Sequence, residues 1–181
     1  HRNVCMTIRT DAIVLRRRDL REHDRIYTLY TREMGKVEAL ARGARKMQSR
    51  MAGHLSSFAV VDVMIARGRG ADTLAGTDVI ESFKEILTDP ARLEVALAAC
   101  SLLDLATKVH VRDTETFELI QTILTTIASE AKQSISHGTL AWFALRLFSR
   151  LGYEPMLTNC VLCKTNQDFQ FFEVTRHVPV Y

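Results

Sequence analysis

The sequence predicts an α+β protein, with a five-stranded OB-fold barrel at the N-terminus followed by a helical domain and a CxxC-containing segment. Two periodicities and one spacing carry that expectation. Apolar residues alternate with period two, between turn residues, through about the first eighty positions; from Pro90 onward they recur at three and four; and Cys160 and Cys163 follow. The expected bounds are 1–82 for the barrel, 83–152 for the helices and 153–181 for the CxxC segment.

Five runs read as strands. TDAIVLR places Ala12 and Val14 on one face and Ile13 and Leu15 on the other, and RIYTLYT, KVEALAR, SFAVVDVMIAR and TLAGTDVIESF follow. The second and third runs form a hairpin, because Gly35 in MetGlyLys supplies the positive φ that a tight turn needs. A second break, ArgGlyArgGly at 67–70, separates the fourth and fifth. Five short strands joined by such turns fit a small closed barrel, whose curved face and loops suit single-stranded nucleic acid. Tyr27 and Tyr30 have opposite strand parity, so at most one can face outward as a stacking platform, and parity does not say which; the other belongs to the core.

Past a boundary expected near residues 81–89, the period changes. Asp89 is a candidate cap and Pro90 suits the first helical position, where its missing N–H costs nothing. The first long helix then carries Leu93, Ala96, Leu97, Cys100 and Leu103 on one stripe. The second, capped at Asp113 or Thr114, carries Phe117, Ile120, Ile123, Leu124 and Ile127. The third turns Leu140, Phe143, Ala144, Leu147, Phe148 and Leu151 inward and stops at Gly152. Such stripes argue for packing rather than for a cofactor.

Composition narrows the function classes. The chain has 181 residues, 47% of them hydrophobic and 25% charged, the makeup of a folded protein rather than a disordered one. No apolar run approaches the roughly 18 residues of a membrane span, and HRNVCMTIRT has no apolar segment of signal-peptide length, so the chain reads as cytoplasmic with Met6 a candidate native start. Charge is divided between the two halves. Residues 1–70 hold 15 Lys and Arg against 7 Asp and Glu, a net of +8, while residues 71–181 hold 9 against 14, a net of −5. A basic segment joined to an acidic one points to a polyanion partner for the first, either nucleic acid or an anionic surface.

The densest cations stand in and after GKVEALARGARK: Arg42, Arg45, Lys46 and Arg50, with no acid among them. Arg16, Arg17, Arg18, Arg21 and Arg25 extend the patch. A solvated loop also carries such charges, and the rest of the chain has to decide between the two. No phosphate-cradling GxxxxGK[ST], GxSxG or HExxH occurs, and the adjacent Glu22, His23 and Asp24 do not converge on one substrate atom if they are consecutive in a strand. His110 and His137, near helix ends, have no nucleophile at a recognisable spacing. A binding protein is therefore expected, not an enzyme.

Cys160 and Cys163 have the spacing of one half of a zinc knuckle. His177 is a candidate third ligand, and no fourth is evident, so no cofactor is expected and zinc is a minor alternative.

The run TDAIVLRRRDLREHDRIYTLYTREMGKVEALARGARKMQSRMAGHLSSF resembles the opening of the bacterial DNA repair protein RecO family, and WFALRLFSRLGYEPMLTNCVLC resembles a later segment of the same family. The resemblance implies an OB-fold, a helical domain and, in many members, a four-cysteine zinc module, from which this chain departs in having one pair. It implies binding of single- and double-stranded DNA, annealing of complementary strands, and assistance to RecA loading on SSB-coated DNA together with RecR, in a cytoplasmic, nucleoid-associated protein. It also makes the basic residues above phosphate contacts, which position nucleic acid without reading its sequence. A protein-interaction module or an RNA-binding OB-fold protein are the rival readings.

Overall fold

The computed structural model describes residues 6–20, 22–44, 53–68, 70–129 and 137–153. Five strands, β1 (Thr7–Asp19), β2 (Arg25–Thr31), β3 (Gly35–Ala41), β4 (Val60–Ala66) and β5 (Asp72–Glu81), close into a barrel in the order β1-β2-β3-β5-β4. All neighbours are antiparallel except β3 and β5, which pair in parallel through Ala39↔Asp72 and Leu40↔Thr73. That is the five-stranded OB-type barrel the period-two runs led us to expect. Four helices follow among the described residues: α1 (Lys84–Thr88), α2 (Pro90–Ala106), α3 (Thr114–Ser129) and α4 (His137–Arg150). No helix among them is long and apolar enough to cross a membrane.

The two apolar faces of β1 have separate destinations. Ala12 and Val14 point into the barrel with Tyr27, Leu29, Val37 and Val63, while Ile13 and Leu15 point outward into a second core shared with the helices. In that shared core Tyr30, Phe58, Val60 and Phe83 from the barrel side meet Leu103, Phe117, Ile120, Leu124, Phe143 and Leu147. A large apolar side chain contributes roughly 1.5–3 kcal/mol when fully buried, whereas an exposed ion pair contributes at most about 1 kcal/mol. The seam between barrel and helices is therefore held first by its apolar contacts, and a change that opens it exposes both parts.

Tyr27 and Tyr30 do lie on opposite faces, but both are core, at 0% and 1% exposure. Neither is placed to stack on a base, because the outward face of β2 at Tyr30 is covered by the helices rather than by solvent. Burial, reinforced by the nearby Asp113 carboxylate, pushes the Tyr30 phenol up to about 12.

Local chemistry explains the turns and helix ends. Gly35 opens β3 at φ 65°, and a Cβ there would sit 1.8 Å from the Val111 carbonyl oxygen, so both the turn and the close passage of residues 109–112 exclude a side chain. Asp89 caps α2 by accepting from the Ala91 N–H at 3.1 Å, with Pro90 next in line. Asp113, not Thr114, caps α3, accepting from the Thr116 N–H at 3.0 Å. At the end of α4, Gly152 at φ 84° lets the Tyr153 N–H reach the Phe148 carbonyl at 2.8 Å and its own N–H reach that of Ser149, a Schellman ending.

One member of the expected α2 stripe is misplaced. Ala96, Ala99, Cys100 and Leu103 are buried, but Leu97 is 48% exposed. It follows Ala96 by about 100° round the helix and falls outside a buried face that the small residues make narrow. The Cys100 thiol within that face is pushed up to about 12 by burial, which leaves it unreactive at neutral pH.

Candidate nucleic-acid interface

The strand ends gather Arg16, Arg17, Arg18, Arg25 and Arg42 at one edge of the barrel. Asp19↔Arg25 and Arg25↔Ala41 pair across β1, β2 and β3, so the end of β1, the start of β2 and the end of β3 lie side by side. A bulge in β1 between Val14 and Arg16 resets the register, and beyond it the strand changes from buried apolar residues to the exposed Arg16, Arg17 and Arg18. Arg16 and Arg18 share the outer row with Glu38; Arg17 alternates to the other face, opposite Tyr27.

These cations do not share one environment. Arg16 gives its Nε to Asp104 of α2 at 2.6 Å and an amino group to Glu38 at 3.2 Å, which makes it a strut between barrel and helices as well as a surface charge. Arg18 stands 3.9 Å from Glu38. Arg25 bonds Asp19 at 2.8 Å and is largely covered. Arg17 and Arg42 are exposed and make no ion pair among the described residues. Arg21, Arg45, Lys46 and Arg50 lie outside the described residues, as do Cys160, Cys163 and His177. Among the described residues no group of three or more His, Cys, Asp or Glu side chains is placed to hold a metal.

A groove of about 510 Å³ lies over the outer face of β2 and β3 beside this edge. Ile26, Leu40 and Glu38 form its floor, Arg18 and Leu20 one wall, and Arg67, Gly68, Gly70, Ala71 and Asp72, at the β4–β5 connection, the other. Val109 and His110 close one end. The latter pair belongs to the link between α2 and α3, which is laid along β3 by a Lys36↔Val109 bridge and by the His110 N–H donating to the Lys36 carbonyl at 2.8 Å, with His110 at φ 59°.

The acids in and beside the groove are all engaged by cations. Glu38 faces Arg16 and Arg18, and Asp72 faces Arg67 at 3.7 Å, with the His110 ring nitrogen 3.8 Å from its other oxygen. Below them Asp104 accepts from Arg16 and from Lys36, whose Nζ is 3.1 Å away. Burial alone would raise the Asp104 carboxyl, but the hydrogen bonds from Arg16 and then Lys36 overcome it and hold it below the ordinary carboxylate value. Asp113 shows the same balance: burial opposes, and Thr116 and Arg150 prevail.

Several of these residues were absent from the sequence reading. Glu38 and Asp104 come together with Arg16 only through tertiary packing, and nothing in the local pattern marks Val109 or His110 as a groove wall. Arg67 has a signal in the ArgGlyArgGly break, whose pattern marks a turn and not a groove wall. Glu22, His23 and Asp24 lie in a bend, not a strand, and Asp24 accepts the Gly43 N–H at 2.9 Å, a structural contact between two connections.

Comparison with known proteins joins these features. Residues 6–83 match the family model described as recombination protein O N terminal, and residues 87–177 match recombination protein O C terminal. The chain belongs to the recombination protein O family. Relatives named DNA repair protein RecO include that of Symbiobacterium thermophilum, 37% identical over 153 residues, or 84% of this chain and 60% of the relative. The RecO of Roseiflexus is 33% identical over 86% of this chain and 53% of its own length, and that of Desulfitobacterium hafniense is 35% identical over 84% and 55%. The chain thus spans little more than half the length of these RecO proteins.

Proposed function

We propose that this chain is the DNA-binding part of a non-enzymatic recombination mediator acting in DNA repair. The groove over β2 and β3, flanked by the β1–β2 and β4–β5 connections and bearing Arg18 and Arg67, is the observation that carries the reading, because barrels of this class take oligonucleotides on that face. Arg17, Arg18 and Arg42, with Arg21, Arg45, Lys46 and Arg50, supply phosphate contacts; Arg16 and Arg25 contribute charge from positions already held by acids. Such contacts fix a strand without reading it, which suits a protein that meets any broken end. The family supports the finer role: single- and double-stranded DNA as ligands, annealing of complementary strands, and RecA loading on SSB-coated DNA with RecR.

Annealing follows from the same charge. A basic surface that holds two strands raises their local concentration and screens their repulsion. Two complementary single strands labelled for energy transfer are expected to pair faster in the presence of the protein than without it. An annealing rate unchanged at saturating protein would remove the mediator reading and leave a strand binder.

A further inference from the structure

All four Phe and Tyr residues of the first 83 positions are accounted for in the two cores, and this stretch has no Trp. Tyr27 is 0% exposed inside the barrel, and Tyr30, Phe58 and Phe83 are 1%, 0% and 5% exposed against the helices. The floor of the groove is aliphatic, from Ile26 and Leu40, and its polar groups are guanidinium and carboxylate, with the His110 imidazole of the α2–α3 link at one end. Nucleotide-binding barrels ordinarily add aromatic platforms, on which successive bases stack, to a charged track for the backbone. Here the track is present and the platforms are occupied in packing.

We propose that the barrel holds a DNA strand through its sugar–phosphate backbone alone, with no base stacked on it, so that abasic and base-bearing strands are equivalent ligands. The inference rests on the reading of the groove as a nucleic-acid site and goes beyond it. It also connects binding to annealing: a strand held only by its phosphates keeps its bases free for a second strand, whereas bases stacked on a protein ring would first have to be released.

Among the described residues the exposed rings outside the barrel are Trp142, Tyr153 and the His110 imidazole, so the deciding measurement is made in a His110→Asn/Trp142→Ala/Tyr153→Ala variant as well as in the unaltered protein. Fluorescence anisotropy compares a labelled 15-mer of thymidines with an abasic 15-mer of the same backbone, at one salt concentration. One stacked base is worth roughly five-fold or more in affinity. The two dissociation constants in the variant are expected to agree within five-fold. An abasic strand bound more than five-fold less tightly by the variant would overturn the inference while leaving DNA binding in place. Failure of the unaltered protein to bind either strand would instead remove the underlying nucleic-acid reading, and the inference with it.

Discussion

Reversing three cations at the basic edge of the barrel, Arg17→Glu, Arg18→Glu and Arg42→Glu together, is expected to weaken single-stranded DNA binding by about 100-fold at low salt and to flatten its salt dependence by about two units. Each phosphate contact on a single strand contributes about −0.7 to the log–log slope, so three contacts account for the change in slope, and the new carboxylates add repulsion to the loss. The fold should survive. Arg17 and Arg42 are exposed without an ion pair among the described residues, and the Arg18–Glu38 pair, at 3.9 Å with both side chains well exposed, is worth at most about 1 kcal/mol. Circular dichroism and urea unfolding establish that the variant is folded before titration. Unaltered affinity in a folded variant would mean that this edge is a solvated surface and that DNA lies elsewhere.

The second large effect is on stability. Asp104→Ala removes the carboxylate shared by Arg16 and Lys36 at the junction of β1, β3 and α2, leaving Lys36, whose side chain is only 12% exposed, with the residue-104 carbonyl alone. Breaking a buried pair costs about 3–5 kcal/mol, and the exposure of Arg16 lowers this to about 2–3 kcal/mol. For a chain of this size that is a fall in Tm of roughly 5–10 °C. The pH dependence identifies the cause. Because the folded Asp104 carboxyl lies below its unfolded value, the unfolded chain binds more protons in acid; the stability it contributes is present above about pH 4 and is lost as pH falls through the folded value. Urea unfolding at several pH values should therefore show the variant losing less stability than the unaltered protein below about pH 4. Equal losses would place the effect in packing rather than in the ion pairs.

How far the sequence foretells this architecture depends on the range of the interaction. Ala12 and Val14 against Ile13 and Leu15, the Gly35 turn, the Asp89–Pro90 start and the Gly152 stop are local patterns, and each is realised where it was read. Tyr30 and Leu97 share a reason: a face is buried or exposed according to what covers it, and period does not say what covers it. The helices cover the outer face of β2 at Tyr30 and leave it open at Ile26, and the narrow inner face of α2 stops short of Leu97. The groove is legible only in part. Its basic edge is written in the run from Arg16 to Arg18, but the hold of Asp104 on Arg16, 88 positions away, and the passage of Val109 and His110 along β3 depend on residues far apart in the chain.

If the barrel is an electrostatic clamp on nucleic acid, its affinity for an oligo-thymidine strand, followed by anisotropy between about 50 and 300 mM salt, falls steeply as salt rises. Four to six phosphate contacts give a slope of log K against log salt of roughly −3 to −4. That slope is expected; a salt-independent affinity, or no binding at the lowest salt, would show that the barrel does not hold nucleic acid through its cations.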